Sequence, residues 1–275
     1  MSYKIALGAG HGAKTPGKRC MKALDPNETR EWWLNDRIAD YVESYLKDYT
    51  GYELLRLDDS DDGAEDVALA TRVREANSWG ADVYVSIHHN AGVAGGKGGG
   101  IVAYSCPGST AGAALRDALY KELIALTGLV GNRYDGTLTA NFYVLKYSNM
   151  KACLLELGFM DSSTDIKVIL TNDYARKCAR AIVNVLVKDG NLKKKATTGT
   201  SSAKTLYKVQ LGAFSVKANA QKLEKELEAK GYEAYITVKN DMYRVQLGAF
   251  SVKANAEKLE AELEAKGYQA YVTKA

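Results

Sequence analysis

Val83-Tyr-Val-Ser-Ile-His88-His89-Asn90 decides the reading of the chain. Val83, Val85 and Ile87 are β-branched, no polar residue interrupts before Ser86, and the run is too short for a buried helix. Val83–His88 is therefore read as a buried strand that ends on histidines. Upstream, Asp66–Ser78 carries helical spacing, and Tyr3–Ala9 and Tyr52–Leu57 read as further strands. Downstream come strand signals at Ile101–Tyr104, Phe142–Leu145 and Ala152–Leu157. Helix signals at Glu28–Lys47, Thr110–Thr127 and Asn172–Lys188 complete the series. Strands alternating with helices predict an α/β domain over residues 1–188, a mostly parallel twisted sheet flanked by helices. In such sheets chemistry gathers beyond the carboxyl ends of the strands.

The tail repeats itself. Residues 206–239 and 242–275 align without gaps at a period of 36, with 26 of 34 positions identical. Each copy opens with the alternation Tyr207, Val209, Leu211 against Lys208, Gln210, Gly212, a strand with one face inward. Ser215 is the expected N-cap, Ala220, Leu223 and Leu227 recur at helical spacing, and Gly231 is the stop. A short strand, Ala234–Val238, follows. A β-α-β copy of about 35 residues is too small to hold a core alone. Two copies are expected to close into one βαββαβ domain, 206–275, with Lys208, Gln210, Arg244 and Gln246 facing outward. Residues 189–205 are small, polar and basic, and read as a flexible linker.

The chain has 275 residues, 46% hydrophobic and 25% charged, ordinary for globular protein and against disorder. Residues 1–190 carry 22 basic and 24 acidic side chains, whereas 204–275 carry 12 and 9. A mildly acidic body with a basic tail does not point to nucleic acid. No run of 18 apolar residues predicts membrane insertion. The opening Met1-Ser2-Tyr3-Lys4 lacks secretory-signal features, so synthesis in the cytoplasm is expected. Cys20, Cys106, Cys153 and Cys178 show no metal-binding spacing and read as reduced thiols.

The chain's three histidines all fall at strand ends: His11 in Gly10-His11-Gly12, then His88 and His89. A His/His/carboxylate set suits catalytic zinc, because three protein ligands leave a fourth position open. Glu31, at the head of the first helix, is placed to be the carboxylate. Glu156 stands alone in the apolar strand Cys153-Leu-Leu-Glu-Leu-Gly-Phe159, where a carboxylate is costly unless paired or working.

Taken in order, these residues resemble the zinc-dependent N-acetylmuramoyl-L-alanine amidases that cut bacterial peptidoglycan. The resemblance rests on Gly10-His11-Gly12, on Glu31 with Asn35, Ile38 and Ala39, and on Leu69-Ala-Thr-Arg72 with Ala76-Asn77. Ser86-Ile-His88-His-Asn90-Ala91, Gly98-Gly-Gly-Ile-Val-Ala-Tyr104, Asn141-Phe-Tyr-Val-Leu-Lys146 and Leu155-Glu156-Leu-Gly-Phe-Met160 extend it, with Asp165 downstream. It implies that His11, Glu31 and His88 hold one Zn²⁺ and that Glu156 is the catalytic carboxylate. His89 falls on a variable position of the family, and Glu28 is the alternative glutamate ligand. The chain departs from the family at Gly8-Ala9, where an aspartate often stands, at Trp32 for a lysine, and at Lys151 for a proline. The tail resembles SPOR peptidoglycan-binding domains, through Tyr-x-Val-Gln-Leu-Gly-Ala-Phe in both copies. That implies wall binding through Lys208, Gln210, Arg244 and Gln246.

The combination resembles sporulation cell-wall amidases and phage endolysins, and implies peptidoglycan as partner. Release to the wall through a holin or by mother-cell lysis is the expected route. A zinc peptidase acting on the stem peptide and a catalytically dead wall-binding protein are the alternatives. Gly12-x4-Gly17-Lys18 is not a phosphate loop, because Arg19 replaces the required Ser or Thr. Gly95–Gly100 reads as a flexible rim loop. Of Trp32 and Trp33, at least one is expected in the core.

Overall fold

The computed structural model describes residues 2–59, 63, 65–132, 136–195, 207–239, 242–250 and 253–274. They form two compact units, Met1–Lys195 and Ala196–Ala275.

In the first unit the strands are β1 (Tyr3–Ala9), β2 (Tyr49–Thr50), β3 (Tyr52–Arg56), β4 (Val83–Asn90), β5 (Ile101–Ser105), β6 (Thr137–Thr139), β7 (Lys151–Phe159) and β8 (Lys193–Lys194). The helices are α1 (Glu31–Leu46), α2 (Leu69–Trp79), α3 (Thr110–Thr127), α4 (Tyr143–Lys146), α5 (Ile166–Ile169) and α6 (Asn172–Asp189). A six-stranded sheet runs in the order β3-β1-β4-β7-β5-β6. The first four are mutually parallel, β5 runs against β7, and β6 follows β5. The central strands read as continuous apolar runs because both faces are covered. Ile5, Leu7, Val85, Ile87, Leu155 and Leu157 pack beneath α1, α3 and α6. Ala6, Tyr84 and Leu154 pack with Val73 and Ala76 of α2 and Val144 and Leu145 of α4. Ser109 caps α3 by accepting the Gly112 N–H, and α2 stops at Gly80, whose φ of 72° is left-handed.

Phe142–Leu145, expected as a strand, is instead the single turn α4. Val144 and Leu145 are both buried while Phe142 and Tyr143 are exposed, a helical rather than alternating pattern. The free edge of β5 is occupied by the short polar strand β6, which has no apolar signature. The stretch expected to be linker begins in ordered chain. α6 continues to Asp189, and Lys193–Lys194 pair with β2. Residues 196–205 of that stretch lie outside the described residues.

The second unit holds β9 (Tyr207–Phe214), α7 (Lys217–Ala229), β10 (Ala234–Lys239), β11 (Met242–Phe250), α8 (Lys253–Ala265) and β12 (Tyr271–Lys274). Its sheet, β10-β11-β9-β12, is antiparallel throughout. Val216, not Ser215, occupies the N-cap of α7. Val209, Leu211 and Leu227 of one copy share a single core with Val245, Leu247 and Leu263 of the other. Polar contacts cross the same join reciprocally. Lys230 donates to Glu226 of its own helix and to the Tyr268 hydroxyl, while Lys266 donates to Glu262 and to the Tyr232 hydroxyl. Each copy's tyrosine thus completes the other copy's ion pair, and the two copies close as one βαββαβ body.

The outward reading of Gln210 and Gln246 needs correction. Both lie on the helix-free face, as alternation requires, but they are only 2% and 7% exposed. Gln246 donates to Gln210 Oε1 at 3.2 Å and accepts from Thr237 Oγ1 at 3.1 Å, and Gln210 donates to the Tyr271 hydroxyl. Neighbouring strands place Tyr235, Thr237 and Tyr271 on the same face, and these side chains cover the amides. What that face offers to solvent is Tyr271, with Lys208 and Arg244 half-buried.

Candidate functional site

Strand register builds the site. Gly10, one residue past β1, donates its N–H to Ile87 O at 2.8 Å and so lies beside His88. His88 is in register with Glu156, and Glu156 with Val102. In-register neighbours project to the same face, so Gly10, His88, Glu156 and Val102 form one row across the carboxyl edge. The row beneath is Gly8, Ser86, Leu154, Tyr104 and Leu138. Gly10 has a steric reason to be glycine. A Cβ there would stand 2.0 Å from His88 Cε1, inside the ring.

Glu31, the first residue of α1, reaches the same edge from the opposite layer and is 1% exposed. Its Oε1 lies 3.2 Å from His88 Nδ1 and 3.5 Å from His11 Nε2. The His11 and His88 rings meet edge to face with centroids 5.0 Å apart. One ligating atom from each of His11, Glu31 and His88 lies within 4.8 Å of the others. Glu31 Oε2 is buried and has no hydrogen-bond partner. Burial pushes the Glu31 carboxyl up, but the hydrogen bond and charge of His88, with His11 and Lys18, outweigh it and hold the pKa at about 2. Burial brings His11 down to about 4. At neutral pH the cluster therefore offers a neutral His11 imidazole and an ionised Glu31 carboxylate, the protonation forms that bind a metal. Glu31 Oε1 facing two imidazoles, with Oε2 of the same carboxylate lacking a hydrogen-bond partner, fits a divalent cation of zinc's ligand preference.

Glu156 sits in the adjacent strand, half-buried, with Oε2 sealed from water and unpartnered. Burial raises its pKa to about 7, with Glu31 adding to the rise and His88 and Lys18 opposing it. A carboxyl poised there can take and return a proton near neutrality. Beside it a cleft of about 330 Å³ is lined by His11, Ser86, His88, Arg72, Leu69 and Val144.

The remaining histidine points the other way. His89 is 2% exposed, and its Nδ1 lies 2.7 Å from Asn35 Oδ1. Asn35 Nδ2 donates to Gly10 O at 3.2 Å, which leaves Oδ1 as the acceptor and His89 Nδ1 as the donor. Burial lowers the His89 pKa to about 3, so it stays neutral. Its backbone N–H donates to Glu31 Oε1 at 3.2 Å. Glu28 pairs with Arg19 at 3.2 Å and Lys22 at 3.8 Å rather than with the histidines. Trp32 is buried against Gly63, and Trp33 is 58% exposed.

Three contributors carried no assigned role in the sequence. Arg72 is 2% exposed, and its guanidinium donates to the carbonyls of Val67 at 2.8 Å, Ala9, and His11 at 3.1 Å. His11 has a φ of 65°, a left-handed conformation that costs a non-glycine residue about 1–2 kcal/mol. Arg72 holds that loop, and Asp58 accepts the Ala9 N–H at 2.9 Å. Their position is the support that a residue before His11 does not supply here. Arg72 was detectable as a cation on the apolar stripe of Val73 and Ala76. Lys18, 3.8 Å from Glu31 Oε2, is brought in by a loop fold that leaves no local sequence mark.

Gly95–Gly100, expected to be a flexible rim, is pinned. Gly95 N–H donates to Asp161 O, Gly98 to Thr164 Oγ1, Gly99 to Asn132 Oδ1 and Gly100 to Asp165 Oδ2, at 2.7–3.1 Å. Asp161, Thr164 and Asp165 follow β7 and Asn132 follows α3, so the glycines alone gave no sign of them.

Comparison with known proteins identifies relatives of both units. A family model described as N-acetylmuramoyl-L-alanine amidase matches residues 5–188, and a SPOR domain model matches 203–274. A sporulation-specific N-acetylmuramoyl-L-alanine amidase of Bacillus subtilis (strain 168) is 37% identical over 239 residues, covering 86% of this chain and 85% of that protein. An endolysin of Bacillus phage SPP1 is 32% identical over 205 residues, 71% of this chain and 69% of that protein. The solved catalytic domain of CwlV, an N-acetylmuramoyl-L-alanine amidase from Bacillus (Paenibacillus) polymyxa var. colistinus, superposes with a TM-score of 0.62. It is 26% identical, and the match covers 70% of this chain and all of that one.

Proposed function

Because the chain belongs to the N-acetylmuramoyl-L-alanine amidase family and carries a SPOR domain, we propose that its His/Glu/His cluster is a one-zinc centre served by Glu156. The enzyme is a peptidoglycan hydrolase that cleaves the amide between N-acetylmuramic acid and L-alanine, and its SPOR domain binds the wall. His11, Glu31 and His88 would hold the zinc. The observation that carries the reading is the convergence of their three ligating atoms within 4.8 Å, one strand from Glu156. Bound zinc supplies a Lewis acid for the scissile carbonyl and lowers the pKa of water.

The chain's own residues do the rest. Glu31, ionised by its neighbours, supplies the anionic ligand, and Arg72 keeps His11 aimed at it. Glu156 Oε accepts the proton of the attacking water and returns it to the departing alanine nitrogen, a shuttle favoured by a pKa near the working pH. The buried face around Leu154 and Val144 limits competing solvent.

On the SPOR domain, Lys208 and Arg244 are the proposed wall contacts. Gln210 and Gln246 act beneath them as a buried amide pair that fixes the face. Action in sporulation is supported by the relative named sporulation-specific, whose match spans most of both chains, and release by mother-cell lysis is the route that goes with that reading. The phage endolysin relative is the observation that favours the second route, holin release. No helix among the described residues is long and apolar enough to cross a membrane.

Replacing His88 with Ala and measuring metal content tests the centre. The purified wild type should carry one zinc per chain, and the variant should lose metal and wall-lytic activity together. A variant that keeps full zinc removes His88 from the site.

A further inference from the structure

We propose that the aromatic pair Tyr104–Phe142 is a subsite for the sugar ring of the muramoyl group, on the β5 side of the catalytic row. The proposal rests on the amidase reading and adds to it where the glycan lies.

Tyr104 belongs to the same sheet face as Glu156. It pairs in register with Leu154, one step below the row that holds Glu156 and Val102. Strand spacing and rise put its Cα on the order of 8 Å from that of Glu156. The Phe142 ring meets it edge to face with centroids 5.1 Å apart. Phe142 is 41% exposed although it is a large apolar side chain. Exposed Phe142 and half-buried Tyr104 stand beside α4, whose Val144 lines the cleft, and offer an apolar ring face with negative character. The axial C–H groups of a pyranose ring are complementary to that surface. Thr139 and Asn141, both exposed and just before Phe142 in sequence, add hydroxyl and amide groups suited to sugar hydroxyls.

Lys18 marks the peptide side. The stem peptide carries carboxylates and calls for cations. Lys18 lies at the other end of the row, against Glu31 beyond His11. The Tyr104–Phe142 pair stands at the β5 end instead. The scissile amide then lies between them, over His88 and Glu156, with sugar towards β5 and peptide towards the β1 loop.

Steady-state kinetics of the full-length enzyme on soluble muropeptides test this. Phe142→Ala should raise KM at least tenfold with kcat within twofold, and Phe142→Trp should keep KM near wild type. Free N-acetylmuramic acid should inhibit Phe142→Ala at least tenfold more weakly than wild type, while free stem peptide should inhibit both equally. An unchanged KM, or equal weakening by sugar and peptide, overturns the proposal. If Phe142→Ala melts lower than wild type, Tyr104→Leu carries the same test. Failure of the wild type to release peptide from muropeptides would count against the amidase reading instead.

Discussion

Replacing Glu156 with Gln separates catalysis from folding in opposite directions. The folded carboxyl titrates at about 7 because burial disfavours its charge, whereas an unfolded glutamate ionises near 4.5. The folded state therefore binds the proton more tightly. Stability is present in full below about 4.5 and is lost as pH rises through about 7. Taken whole, that difference is worth about 3 kcal/mol, and partial solvation reduces it to roughly 1–3 kcal/mol. Gln has nearly the same shape and never ionises. Metal-free Glu156→Gln should thus be more stable than wild type at pH 8 by roughly 1–3 kcal/mol and equal to it at pH 4. Urea unfolding followed by tryptophan fluorescence reads this cleanly, because Trp32, Trp33 and Trp79 all lie in the first unit. The same variant, loaded with zinc, should lose about 10²–10⁴-fold in rate while keeping its metal. A variant no more stable at pH 8 would refute the burial account of Glu156. One that loses zinc would make Glu156 a ligand and displace Glu31.

Gly10→Ala should keep the fold but weaken zinc binding by at least about 10–100-fold, since its Cβ occupies the His88 ring position; competition with a chelator measures it. The Gln210→Ala/Gln246→Ala double variant should cost the SPOR domain about 1–3 kcal/mol by circular dichroism, because both amides are buried and bonded to each other. An unchanged melt would restore them as surface contacts.

The His11/Glu31/His88 cluster was legible because histidine is scarce and strand ends are marked by abrupt loss of apolar character. Glu156 was legible for the same reason, as a charge where the pattern demands none. Asn141–Lys146 was not, because four apolar residues satisfy a strand and one helical turn equally. Only the pairing of β6 with β5, a contact set by polar residues Thr137–Thr139, decides between them. The glutamines show a different limit. Alternation gives the face of a strand, but whether that face is wet depends on side chains of neighbouring strands, here Tyr235, Thr237 and Tyr271. The Arg72 clamp and the pinned Gly95–Gly100 loop likewise depend on remote contacts, Arg72 with His11 and Gly100 with Asp165 being more than 60 positions apart.

Mass analysis of the products from purified sacculi digested by the zinc-loaded, full-length enzyme tests the central claim most directly. An amidase with this centre leaves glycan strands intact with free lactyl carboxyls and releases stem peptides whose amino terminus is L-alanine. Peptides cut between stem residues, with L-alanine still joined to muramic acid, would contradict it.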